Sequence, residues 1–111
     1  MDINKFINQW LEFSNAYDTQ NYLAMWQEDG ILKDPSIGQN SKGHEGIKEY
    51  FETYFIGYRT QTKLISLDII SENKAHLLAE FSGDFSESKF NGTFDFTFKD
   101  GKIIVAKADL V

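Results

Sequence analysis

ILKDPSIGQNSKGHEGIKEYFETYF, residues 31–55, joins a short apolar run ending in an acid to a proline turn, a glycine-rich connection and an amphipathic helix. Pro35 has no amide hydrogen to give a sheet and pushes the residue before it toward extended backbone, so a strand Ile31–Asp34 must stop there. Asp34 is then a strand-end carboxylate beside the mouth of whatever core the helix covers. Such an acid can work as a general base or sit in solvent. The helix is read over His44–Phe55. Ile47, Tyr50, Phe51, Tyr54 and Phe55 fall at spacings of 3, 4, 7 and 8 from Ile47, and Glu45, Lys48, Glu49 and Glu52 fill the other face.

Toward the N-terminus, Asp2 is placed to cap a helix whose stripe is Ile3, Phe6, Ile7, Trp10, Ser14 and Tyr17. Thr19 is read as the cap of a second short helix through Tyr22, Leu23 and Trp26, ended by Glu28-Asp29-Gly30. Toward the C-terminus, Arg59 to Val111 reads as four consecutive strands, interrupted at Ser71–Lys74, Ser86–Ser88 and Asp100-Gly101. Asp-Gly between Phe98 and Ile103 is a hairpin signal, because both residues tolerate positive φ. Alternation puts Phe94, Phe96 and Phe98 on one face of their strand and Thr93, Asp95 and Thr97 on the other. Ala75, Leu77, Ala79, Phe81, Gly83 and Phe85 share a face of the preceding strand, where small residues among large ones let a sheet curve or leave room for a ligand. This order predicts a single α+β domain over residues 1–111, with helices packed on one face of a curved antiparallel sheet.

Composition narrows the function. A chain of 111 residues that is 41% hydrophobic supports one core and argues against disorder. Ten Phe, five Tyr and two Trp imply an aromatic core or an aromatic-lined cavity. A net charge of −6 makes nucleic acid or an anionic membrane a poor partner. With no cysteine there are no disulfides, thiol nucleophiles or thiolate metal sites, which fits a cytoplasmic protein. The MDINKF start lacks a basic run followed by an apolar block, so no secretory signal is expected, and no apolar run approaches the roughly 20 residues that span a bilayer. Gly38, Gly43 and Gly46 lack the Lys and Ser/Thr of a phosphate loop, and no histidine spacing suits zinc. No metal and no cofactor is expected.

Asn15-Ala16, Asp18, Trp26, Glu28-Asp29, Asp34-Pro35, Gly43 and Ile47-Lys48-Glu49-Tyr50, in this order, resemble the SnoaL-like and ketosteroid-isomerase-like proteins of the nuclear transport factor 2-like superfamily. The match to ketosteroid isomerase runs without a gap from about Trp10 to Phe51, and the strand region agrees in strand count and length. The resemblance implies three N-terminal helices on a cone-shaped sheet, the cystatin-like α+β barrel. It also implies a cavity between sheet and helices and a homodimer through the outer face of the sheet. In ketosteroid isomerase the general base is the acid of the Asp-Pro pair, the position of Asp34, and a tyrosine and a protonated aspartic acid stabilise the developing oxyanion. The tyrosine falls on Trp10 here. Strand parity puts Phe94 at the acid's position and Asp95 outside, the alternative being a bulge beside Gly92 that flips the parity and turns Asp95 inward. Losing one such donor costs about 10²–10³-fold, so the loss of both argues against steroid isomerisation.

Asp34 is thus the catalytic candidate, a carboxylate able to take a proton if it is positioned for it. Trp10, Trp26, Tyr50, Tyr54 and Phe94 are the candidate ligand-binding residues, each of which can equally be core packing. Together they suit a small hydrophobic or aromatic molecule. His44 reads as a solvated helix-start histidine, with a relay to Asp34 as the alternative, and His76 as part of an exposed sheet face. Lys107 and Asp109 are left unassigned between faces. Two functions follow: a small-molecule cavity protein, with Asp34 as acid–base group if it is a cofactor-free isomerase, hydrolase or cyclase, or a non-catalytic ligand-binding or dimerising domain.

Overall fold

A computed structural model describes residues Met1–Val111. Asp2 accepts from the Lys5 amide at 3.1 Å and starts α1, Ile3–Asn15, whose buried residues are Ile3, Ile7, Trp10 and Ser14. Asn15 ends it by clasping the sheet: its amide donates to Thr62 O at 3.0 Å and its Oδ1 accepts from Thr62 N at 2.7 Å. The second helix, α2, is Thr19–Ala24, and its cap is Asp18 rather than Thr19, because Asp18 Oδ1 lies 3.2 Å from the Asn21 amide. This helix also stops before Trp26. Trp26 already belongs to β1, Trp26–Asp34, which begins five residues ahead of the expected Ile31.

That misreading has a physical cause. Trp26 pairs with Ile103 and the next registered pair is Ile31 with Val105, so the residues between bulge out of the ladder and carry the acidic pair Glu28-Asp29 with them. Gly30 makes the bulge possible, since a Cβ there would stand 2.9 Å from the Trp26 ring. A polar bulge inside a strand looks like a break in the sequence.

After Asp34 a 3-10 turn, Pro35–Ile37, leads through Gly38, at φ 76°, into β2, Gln39–Lys42. β2 was expected as plain connection. Its side chains are polar and mostly exposed, so only its backbone pairing with Ile31–Asp34 makes it a strand. The third helix, α3, covers Gly43–Phe51 and runs on as a π turn over Glu52–Ile56, so the rod expected over His44–Phe55 is present with its last turn widened. Four long strands follow: β3 Gln61–Ser71, β4 Lys74–Ser82, β5 Lys89–Lys99 and β6 Lys102–Leu110.

The sheet order is β2-β1-β6-β5-β4-β3, unclosed. Neighbouring strands run antiparallel except β1 and β6, which are parallel. Register shifts at Leu64/Ser66 and Ile69/Ser71 in β3, and at Thr97/Phe98 in β5, bend the sheet. The helices lie against its inner face, where α3 meets β1 and α1 meets β3. Between the layers is one cluster of 21 buried apolar residues. Trp10 sits within it, its ring centroid 5.2 Å from Phe94, 5.4 Å from Phe96 and 6.4 Å from Phe55.

Candidate functional site

Asp34 is fixed from two sides. Its own strand end supplies one: Oδ1 accepts from the Ser36 amide at 3.0 Å and from the Ser36 hydroxyl at 2.6 Å, the Asx turn that an Asp-Pro-Ser sequence favours. Helix α3 supplies the other, with the Tyr50 hydroxyl donating to Oδ2 at 2.6 Å. All three partners donate, and a carboxylate offers about four acceptor sites, so one remains. Burial pushes the Tyr50 phenol far above its usual range, and the hydrogen bond to Asp34 and the charge of that carboxylate push it the same way. Tyr50 therefore keeps its proton and stays a hydrogen-bond donor to Asp34.

This pair opens onto a cavity of about 130 Å³ between the helical layer and the inner sheet. Phe81 and Phe85 reach it from β4 and the turn beyond, Phe90 and Phe94 from β5, Tyr54 and Phe55 from the π turn. Thr60, Ala108 and the strand-end residues Asp109 and Leu110 complete the rim. The Thr60 hydroxyl donates to Tyr54 O at 2.7 Å.

Of the residues expected at a site, Asp34, Tyr50, Tyr54 and Phe94 come together on this wall. Trp10 and Trp26 do not reach it. Both are fully buried in the core, Trp10 directly behind Phe94. Between them lies Tyr22, whose hydroxyl, like both indole N–H groups, has no partner in hydrogen-bonding geometry. Burial pushes the Tyr22 phenol up, and the indoles of Trp26 and Trp10 pull it only partly back. His44 is half-buried at the helix start, where its Nε2 lies 2.9 Å from Trp26 O and ties α3 to the β1 bulge. It makes no contact with Asp34.

Parity on β5 reads as expected. Phe94, Phe96 and Phe98 are buried while Asp95 is exposed on the outer face, with its Oδ1 2.5 Å from His76 Nδ1. Asp68, His76, Asp95 and Lys107 are register partners in one row across β3, β4, β5 and β6. No group of three or more His, Cys, Asp or Glu side chains is arranged to hold a metal ion, and no helix is long and apolar enough to cross a membrane. Phe81 and Phe85 were legible only as part of a strand face with room for a ligand, and Phe90 and Ser36 were not singled out from the sequence. Ser36 was the findable one, because the Asp-Pro-Ser run is itself a turn signature.

The fold has many solved counterparts. A proposed polyketide cyclase from Sinorhizobium meliloti superposes with a TM-score of 0.85 at 21% identity, over 95% of this chain and 94% of that one. A Catenulispora acidiphila protein with a ketosteroid isomerase-like fold, in complex with trimethylamine, gives 0.81 at 11% identity, over 93% and 82%. A Mycobacterium tuberculosis protein in complex with estradiol-17β-hemisuccinate gives 0.80 at 16%, over 93% and 88%. No curated protein matches the sequence. The pattern of the SnoaL-like domain matches residues 7–106, from within α1 through α2, α3 and the first five strands to the middle of β6. The chain belongs to the SnoaL-like domain family.

Proposed function

We propose that this chain is a single-domain, small-molecule-binding cavity protein in which Asp34 is the polar anchor and Tyr50, Tyr54 and Phe94 form part of the wall. The observation that carries this reading is the Asp34 carboxylate, held by Tyr50 and Ser36 at the edge of an aromatic cavity with one acceptor site unused. An acid oriented from both a helix and a turn is preorganised, and preorganisation is what a binding or reacting group needs. Two proteins of this fold crystallised with small molecules, one with an amine and one with a steroid derivative, support a ligand-holding role without indicating which ligand.

The second reading makes Asp34 the acid–base group of a cofactor-free isomerase, hydrolase or cyclase. The unused acceptor site favours it, since a general base needs a lone pair facing the substrate. Against it stands the wall opposite, which lacks the pair of donors that would stabilise an oxyanion. We propose further that two copies associate through the outer face of the sheet, where the row from Asp68 to Lys107 carries both signs of charge.

The test is a screen of small apolar and aromatic compounds by ligand-observed NMR, run on the wild type and on Asp34→Asn. Binding weakened by the substitution, with no compound turned over, is the expected result. Turnover by the wild type that Asp34→Asn abolishes moves the assignment to the enzyme reading. If no compound binds the wild type, the cavity is packing space and the proposal falls.

A further inference from the structure

The cavity wall is rich in acceptors and nearly empty of donors. The Ser36 and Tyr50 hydroxyls spend their protons on Asp34, and the Thr60 hydroxyl spends its proton on Tyr54 O. That leaves Tyr54 as the one side-chain hydroxyl on the wall with no protein partner. No Lys, Arg, His, Asn, Gln or Trp side chain lines the space. A carbonyl, carboxylate or phosphate ligand would lose its water there and find almost nothing to replace it, at a cost that rises with its charge.

The rest of the wall points the same way. Five phenylalanines and two tyrosines surround the space. Aromatic faces carry partial negative charge and attract cations. Asp34 adds a full negative charge with an acceptor site to spare, Asp109 adds a carboxylate at the rim, and the chain as a whole carries −6. Size sets the last limit. About 130 Å³ is close to the apolar cavity of roughly 150 Å³ known to hold benzene, and well below the pockets of about 300 Å³ and more that take drug-sized ligands.

We propose that the ligand is a small organic cation, an alkylammonium or arylalkylammonium about the size of a substituted benzene. Its nitrogen faces the open acceptor site of Asp34, and its carbon skeleton fills the space between the phenylalanine rings. This rests on the binding reading above and specifies what that cavity selects.

Three probes of one shape separate the possibilities: benzylammonium, benzyl alcohol and benzoate, titrated by isothermal calorimetry at neutral pH and low salt. The expected order is ammonium over alcohol over benzoate, with about 10-fold between the first two, an interval within the range of cation–π attraction. Asp34→Asn lowers ammonium affinity about 10-fold and weakens the alcohol by much less. Phe90→Leu, which keeps an apolar wall and removes a ring face, weakens the ammonium more than the alcohol and serves if Asp34→Asn fails to fold. If benzyl alcohol binds as tightly as benzylammonium, the cation proposal is overturned while the cavity reading stands. If benzoate binds best, the donor accounting is wrong. If none of the three binds at millimolar concentration, both readings fall together.

Discussion

Tyr50 and Asp34 sit sixteen residues apart in sequence and 2.6 Å apart in space, and the bond is worth testing as a pair. A hydrogen bond to a charged acceptor contributes about 1.5–3 kcal/mol when sheltered, and less here because Asp34 is only half-buried. A double-mutant cycle of Tyr50→Phe and Asp34→Asn, followed by urea unfolding, should give a coupling of about 1 kcal/mol. A coupling near zero would mean the contact does not hold Asp34. The two buried phenols also set an alkaline limit. Both Tyr22 and Tyr50 have folded pKa values raised above the unfolded value near 10. The folded state therefore holds protons that the unfolded chain gives up, and stability is intact below about pH 10 and falls as pH rises beyond it. The loss approaches about 1.4 kcal/mol per pH unit for each phenol. Denaturant midpoints between pH 9 and 11 should fall less steeply for Tyr22→Phe, and an unchanged slope would show that this phenol titrates normally. At this scale the sequence was half legible. Asp-Pro marked Asp34 and the helical stripe marked Tyr50, but nothing in either pattern says that a strand end and a helix turn meet. Trp10 and Trp26 show the converse limit, because a large ring on a buried stripe looks the same whether it walls a cavity or lies behind one.

Elements were legible where their side chains alternate between core and water, and obscure where backbone pairing alone makes them. β5 and α3 belong to the first kind; β2 and the bulged start of β1 belong to the second. The π turn at the end of α3 is a third case, because Tyr54 and Phe55 fit the helical stripe whether or not the last turn widens. Such turns often mark functional sites, and this one delivers two of the cavity's rings. It closes at Gly57, where a Cβ would fall 2.4 Å from the Thr53 carbonyl oxygen. Gly57→Ala should therefore force the turn to reorganise, costing about 1–3 kcal/mol in denaturant unfolding. It should also weaken cavity ligands by displacing Tyr54 and Phe55. Full stability in this variant would show that the turn relaxes freely to an ordinary helical end.

For the molecule as a whole, the α+β layering was readable from the order of periodicities, helical first and alternating afterwards. The parallel pairing of β1 with β6 was not, since each strand looks complete by itself. The proposed dimer belongs to this scale. A two-fold axis brings the same patch of each copy together, so a row of mixed charge can complement itself. Leu78, the outer-face register partner of Thr93 and Ser66, offers a probe. Sedimentation equilibrium should give a dimer for the wild type and a monomer for Leu78→Arg, and a monomeric wild type would remove the proposal. The position of β6 has a further consequence, for biosynthesis. It follows the other five strands in the chain, yet it lies between β1 and β5 and joins the β1–β2 hairpin to the rest of the sheet. Until Lys102–Leu110 has emerged, the hairpin carrying Asp34 has no strand in the rest of the sheet to pair with. The anchor of the cavity is thus made before the strand that ties it to the sheet.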